Sequence, residues 1–356
     1  MDKNRRLTIW LPVIIAVSIA LGIFIGNNYL SLTQHGKRRM FSSGNKINAI
    51  LDIIDEQYVD TVNMGKLVEG TIPKIFSELD PHSVYIPAED ATIVNEDLEG
   101  SFSGIGVSFN MQTDTILVIS VIPKGPAEKA GLLPFDRIIT INDSIYSGNN
   151  TSQAKIMRTL RGAKNSTVKL GVKRGGVPDL LYFDVTRGDV PVNSVDVSYE
   201  VSKGIGYIKV SKFGRTTYNE FITAIAKLKE AGCSSFIIDL RGNTGGYMDA
   251  AINMVNEFMP EGRLIVYTEG KAFPRNDVYT NGTGTCKEAP IVVLTDEFSA
   301  SASEIFSGAI QDNDRGLIVG RRTYGKGLVQ SPIKLSDGSE IRLTIARYYT
   351  PSGRSI

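Results

Sequence analysis

Three serines alternate in Ser299-Ala300-Ser301-Ala302-Ser303, within the segment 295–304 that directly follows the apolar run Ile291–Leu294 and opens a helical pattern. A serine at a strand-to-helix turn can hold its hydroxyl beside the free N–H groups of the helix start, a favourable place for a nucleophile. The same residues also read as a plain helix start, because Ser301 and Glu304 have capping-box spacing. Any serine nucleophile needs a base, and the chain has only two histidines, His35 and His82. An HExxH zinc site is therefore excluded, and a Ser-His-Asp triad would have to recruit His82 from far away. His82 lies in Asp80-Pro81-His82-Ser83, a turn, and reads as a loop residue. A lysine can replace histidine if burial brings its amine down from about 10.4 toward neutrality. Lys326, between Gly325 and Gly327, is the candidate, since the glycines permit an unusual backbone path. Taken alone it is equally an exposed loop lysine. Gln330 follows four residues later; on an extended strand it would stand about 13 Å away, so it can orient the amine only if the segment bends.

Two further segments offer backbone chemistry. The turn Asp239-Leu240-Arg241-Gly242-Asn243-Thr244-Gly245-Gly246 follows an apolar strand, and its glycines let N–H groups converge on an oxyanion. Asp239 and Arg241 are expected to pin this loop by hydrogen bonds. It is not a phosphate loop, since GxxxxGK[ST] is absent. Gly104-Ile105-Gly106-Val107 opens a strand pattern where loop N–H groups could capture a C-terminal carboxylate while a peptide adds alongside. Cys233 and Cys286 cannot form a four-thiolate zinc site or a disulfide framework, and no metal or cofactor is implied.

These segments must be positioned by regular elements. Residues 191–356 contain continuous apolar runs (GIGYIKV, SSFIIDL, RLIVYT, PIVVLTD, GLIVG) of the kind expected in a sheet covered on both faces. They alternate with the helical patterns TTYNEFITAIAKLKEAG, DAAINMVNEFM and SASEIFSGAIQDN, predicting a layered α/β core, followed by a hairpin through Asp337-Gly338. Residues 100–190 predict a compact β-rich domain: short alternating strands, a helix in TSQAKIMRTL, and a shorter one from Pro126 to Ala130. Residues 27–99 read as a linker and an N-terminal helical region. Its two amphipathic helices, parted near residues 58–63, could make a homo-oligomer.

Leu7–Gly26 is twenty residues without a charge, long enough to cross a bilayer as a helix. Lys3, Arg5 and Arg6 before it favour a single-pass anchor in the inner (cytoplasmic) membrane, with the catalytic body in the periplasm or outside. A cleaved signal is the competing reading of residues 1–26. The formal charge is +1 over 356 residues, yet residues 1–39 carry +5, which leaves the body at −4. That balance argues against nucleic acid as a partner. A hydrophobic content of 42% excludes disorder throughout.

Taken in order, LDPHSVYI with GSFSGIGVSF, then DLRGNTGG, SASASEI and TYGKGLVQ, resemble the C-terminal processing peptidases, the PDZ-containing serine–lysine proteases of the tail-specific family. The stretch GIGVSF, PAEKAGL, DRIITIN is similar to a bacterial PDZ domain. The resemblance implies Ser301 as nucleophile, Lys326 as general base and Gln330 as the residue orienting it. It implies an oxyanion hole from the N–H groups of Gly245 or Gly246 and of Ala302, and a peptide-binding loop at Gly104, Ile105, Gly106 and Val107. The choice of Ser301 among the three serines rests on this resemblance. Arg161 matches an arginine at the PDZ–protease boundary. The implied substrates are unfolded proteins or peptides with a free C-terminus, and no cofactor is implied. Family members continue past YYTPSGRSI, so the core is expected to be C-terminally truncated. Two rivals stand beside this reading: an inactive, truncated PDZ scaffold that binds peptides without turnover, and an acyl-transfer or hydratase enzyme on a related α/β layout.

Overall fold

The computed structural model describes residues 17–19, 21–23, 43–112, 115–148 and 151–356, and the chain divides into two units, Met1–Glu78 and Leu79–Ile356. The first unit holds the helices Ser43–Gln57 and Met64–Ser77, parted where the apolar periodicity breaks. Asn63 caps the second, its side chain accepting the Lys66 N–H at 3.0 Å. Ile47, Ile50 and Ile53 stay exposed on the first helix and Ile75 on the second. The run Leu7–Gly26 lies almost wholly outside the described residues. Among the described residues, no helix is long and apolar enough to cross a membrane.

The second unit is built on mixed sheets. Strands Val195–Ser202, Ile205–Val210, Ser235–Asp239, Ile291–Thr295 and Leu317–Gly320 lie side by side in chain order, the first pair antiparallel and the rest parallel. Parallel neighbours need crossover connections. The helices Thr217–Glu230, Met248–Asn256 and Ala302–Asp312 lie in them. Ile208, Val210, Ile238 and Val293 alternate onto the helix side and form the core with Phe221, Phe258 and Phe306. Phe258 sits at its centre, with the rings of Phe221, Phe236 and Phe306 edge-on at 6.1, 6.3 and 6.4 Å. The expectation of cover on both faces is corrected here. Every second residue stays accessible: Val197, Tyr199, Val201, Leu317 and Val319 are exposed, and Ile237 and Val292 are half-buried.

A second, antiparallel sheet runs Val84–Ile86, Glu340–Tyr349, Leu264–Glu269, Asn276–Tyr279, with Leu328–Lys334 also paired to Glu340–Tyr349 through the Asp337-Gly338 turn. The β-rich domain is the sheet Val107–Gln112, Thr115–Val121, Arg137–Ile141, Thr167–Lys173, Leu181–Thr186, packed around Ile116, Ile138 and Leu170 with the helices Pro126–Ala130 and Gln153–Leu160.

Some elements carried no periodic signal. One is the strand pair Ser101–Gly104 with Gly188–Pro191. Another is the helix Ala88–Glu99, held by charge on both sides. Asp90 pairs with Arg158 at 2.6 Å and Glu96 with Arg161 at 3.3 Å, while Glu99 meets Arg215 at 2.5 Å and the Tyr247 hydroxyl at 2.8 Å. Residues 79–99 thereby fall within the larger unit.

Phe258→Ala is expected to lower unfolding free energy by about 3–5 kcal/mol, by removing the ring around which three others pack. Chemical denaturation followed by circular dichroism measures this; a loss below about 1 kcal/mol would contradict the packing described.

Candidate active site

The strand Ile291–Thr295 ends in a turn organised by Asp296, whose carboxylate accepts N–H bonds from Gly242, Phe298 and Ser299 at 2.9, 3.0 and 3.1 Å. The three serines then separate by their partners. Ser299 Oγ donates to the Leu240 carbonyl at 2.8 Å and Ser303 Oγ to the Asn243 carbonyl at 2.9 Å, and both serines are fully buried. Those two hydroxyls stitch the serine turn to the glycine turn. Ser301 alone is partly exposed, at φ +55° and ψ −110° in the turn before the helix Ala302–Asp312. A non-glycine residue rarely adopts that conformation, and it persists only where its surroundings enforce it.

The enforcing group is Glu304. Its carboxylate is buried, 4% exposed, and accepts the N–H of Ser301 at 2.8 Å, of Gly325 at 2.6 Å and of Lys326 at 2.8 Å. Ser301 and Lys326 share the same oxygen, Oε2. Their backbone nitrogens are therefore at most about 5.6 Å apart, the two 2.8 Å bonds laid end to end.

Lys326 is half-buried, and its amine is pulled below the ordinary 10.5, first by burial and second by the charge of Arg342. Its Nζ donates to Gln330 Oε1 at 3.4 Å. Gly325 at φ +88° and a register shift between Val329 and Gln330 supply the bend that this meeting requires. Gln330 Nε2 donates in turn to the backbone carbonyl of His82.

The glycine turn is pinned as expected. Burial works to raise Asp239, but hydrogen bonds from Arg241 and Tyr207 outweigh it and hold its carboxyl at about 2. A Cβ on Gly245 would lie 2.7 Å from the Ala300 carbonyl and 2.8 Å from Ser301 Cβ, and one on Gly246 only 2.1 Å from the Phe213 carbonyl. Close approach therefore requires glycine at both. Gly245 spends its N–H on Asn243 Oδ1 at 2.9 Å. Among the described residues no hydrogen bond uses the N–H of Gly246 or Ala302, which leaves those two as free donors next to Ser301.

The loop expected to bind peptide, residues 104–107, meets a groove of about 200 Å³. Ile105, Gly106, Val107 and Phe109 form one wall and Met157 and Leu160 of the helix Gln153–Leu160 the other. The carbonyls of Ile105 and Gly106 accept from Ala127 and Ile122 at 2.7 and 2.9 Å, while their N–H groups form no hydrogen bond among the described residues. Gly104 stands outside the groove, paired with Gly188. Arg161 also lines it, its guanidinium 4.2 Å over the Phe102 ring.

An α/β core with this serine turn, in one chain with a β-rich domain that carries a strand-edge groove, defines a serine-type peptidase carrying a PDZ domain. Residues 204–356 match the description Peptidase family S41, residues 103–195 match PDZ domain, and residues 26–90 match Activating protease CtpB N-terminal domain. Over 349 residues the chain is 35% identical to Carboxy-terminal processing protease CtpB of Bacillus subtilis (strain 168), spanning 94% of this chain and 72% of the relative. Carboxy-terminal processing protease CtpA of the same organism is 34% identical over 364 residues, 99% of this chain and 75% of the relative. A solved Photosystem II D1 C-terminal processing protease is 28% identical, with a TM-score of 0.48, covering 86% of this chain and 87% of that one. The chain belongs to the carboxy-terminal processing proteases of peptidase family S41.

Glu304 and the His82 carbonyl are the participants the sequence left unassigned. Capping-box spacing flagged the first, but only for its bond to Ser301.

Since the folded chain disfavours the Lys326 ammonium, stability should rise with pH between the lowered value and the ordinary 10.5, where only the unfolded chain keeps the proton. Lys326→Met removes this term. That variant is expected to be more stable than the parent at pH 7, with the gap narrowing as pH climbs toward about 10. Equal unfolding free energies at pH 7 would contradict a desolvated cation.

Proposed function

We propose that Ser301 is the nucleophile, Lys326 its general base and Gln330 the residue that orients the base. The observation that carries this reading is the Glu304 carboxylate, which ties the Ser301 and Lys326 backbones to one oxygen while burial keeps the lysine amine easy to deprotonate. Neutral Lys326 takes the Ser301 hydroxyl proton as Oγ attacks the scissile carbonyl carbon. The N–H groups of Gly246 and Ala302 receive the oxyanion, each such donor contributing roughly 10²–10³ in rate. Collapse of the intermediate expels the amine, which takes its proton from the lysine ammonium and leaves an acyl-enzyme. Water, deprotonated by the same lysine, then releases the acid.

Substrate would enter through the groove between the Val107–Gln112 strand and the Gln153–Leu160 helix. The free N–H groups of Ile105 and Gly106 suit a C-terminal carboxylate, and the apolar walls suit an aliphatic last residue. A chain reaching Ser301 from there must be extended, so the substrates are unfolded proteins or loose tails. In the same reading Leu7–Gly26 crosses the cytoplasmic membrane once with the catalytic body outside, supported by its twenty uncharged residues and by Lys3, Arg5 and Arg6. The exposed isoleucines of the two N-terminal helices favour self-association.

Ser301→Ala and Lys326→Ala should each reduce turnover of an unfolded substrate by about 10³-fold or more; parental turnover in either variant removes that residue from the chemistry. Amidating the substrate's C-terminus should lower kcat/KM, and an unchanged value would remove carboxylate capture. Full-length protein expressed in cells is expected to stay with membranes after alkaline carbonate washing. Release into the wash would reject the anchor.

A further inference from the structure

The segment Leu79-Asp80-Pro81-His82-Ser83 has no part in the chemistry above, yet one of its carbonyls touches the catalytic apparatus. Asp80 organises it. Oδ1 accepts the N–H of His82 at 2.8 Å, the N–H of Ser83 at 2.9 Å and the Thr344 hydroxyl at 3.2 Å, while Oδ2 accepts the Ser83 hydroxyl at 2.6 Å. Ser83, 3% exposed, closes the loop by accepting the Thr344 N–H at 3.1 Å. Thr344 is the register partner of Gln330 across the Leu328–Lys334 and Glu340–Tyr349 pair. The turn is thus bolted to the backbone opposite the glutamine and presents the His82 carbonyl to Gln330 Nε2.

That contact decides which way the amide faces. A carboxamide has one donor end and one acceptor end, and a backbone carbonyl can only accept. With Nε2 committed to His82, Oε1 must face Lys326, where it accepts a hydrogen bond from Nζ at 3.4 Å. A flipped amide would set oxygen against oxygen at His82 and N–H against N–H at the lysine. A neutral amine has two N–H bonds and one lone pair, so holding one N–H on Gln330 restricts where the lone pair points. Burial opposes ionisation of Asp80, but the hydrogen bonds from Ser83, His82 and Thr344 outweigh it and keep the carboxylate charged below its usual range.

We propose that Asp80 is a positioning residue for the lysine base, acting through the His82 carbonyl and the Gln330 amide and touching no substrate. This rests on the reading of Lys326 as the base. Nearest-neighbour coupling gives the test, because residues acting through one another show non-additive effects. Steady-state kinetics on an unfolded polypeptide would compare Asp80→Ala, Asp80→Asn, Gln330→Ala and the Asp80→Ala, Gln330→Ala double variant. Asp80→Ala is expected to lower kcat about ten- to a hundredfold with KM changed less than about twofold, and the double variant to be no slower than Gln330→Ala alone. Asp80→Asn should recover most of the loss, since its amide oxygen can still accept both N–H bonds. Should Asp80→Ala fail to fold, Ser83→Ala in the two Gln330 backgrounds gives the same comparison. Multiplying effects, or parental kcat in Asp80→Ala, would overturn the proposal. A Lys326→Ala control separates the two ideas. Turnover surviving there removes the base assignment and this proposal with it; turnover lost there, with multiplying Asp80 and Gln330 effects, removes this proposal alone.

Discussion

One buried carboxylate governs the site. Glu304 receives the backbone N–H groups of Ser301, Gly325 and Lys326, and so fixes two turns relative to each other across 22 residues of sequence. A carboxylate taken out of water is costly unless fully hydrogen-bonded, and three charge-assisted bonds supply that compensation. The dependence is mutual, because losing the carboxylate leaves three partly buried backbone donors without their partner. The strained Ser301 conformation, the seat of the lysine and the placement of the free Ala302 N–H all follow from this anchor.

Around it, the remaining contacts share one task, holding loops from distant parts of the chain at close range. Asn243 receives Ala300 and Ser303 on its carbonyl and Gly245 on its side chain, while Asp296 receives Gly242. The lysine side differs in kind. It needs dryness, and dryness weakens the fold, since an ammonium kept from water without an opposite charge costs stability at neutral pH. Such a trade is expected where a strained, partly desolvated site serves function rather than folding.

Much of this was legible in the chain. Alternating and continuous apolar runs located the strands of the β-rich domain and most of the parallel sheet, although RLIVYT, read with the parallel runs, pairs instead in the antiparallel sheet. The Gly-Lys-Gly spacing pointed to a base because histidine is so scarce. What could not be read depends on long-range partners. Nothing local distinguishes Ser301 from Ser299 and Ser303; the distinction lies in the carbonyls of Leu240 and Asn243, 59 and 60 residues away. The helix Ala88–Glu99 was missed because its anchors are Arg158, Arg161, Arg215 and Tyr247 rather than an apolar stripe. Gly245 and Gly246 looked interchangeable until Asn243 was seen to occupy the first. The helical cover of the parallel sheet was overestimated because a continuous apolar run does not say which of its two faces is packed.

The most direct measurement is turnover by Glu304→Gln. The amide can hold Ser301 and Lys326 on its one oxygen only by setting its N–H₂ group against the Gly325 N–H, so at least one of the three bonds becomes a donor–donor clash. With Ser301 and Lys326 untouched, kcat on an unfolded substrate is expected to fall about a hundredfold or more while C-terminal peptides still bind the groove. Parental kcat in that variant would contradict the central role given to Glu304.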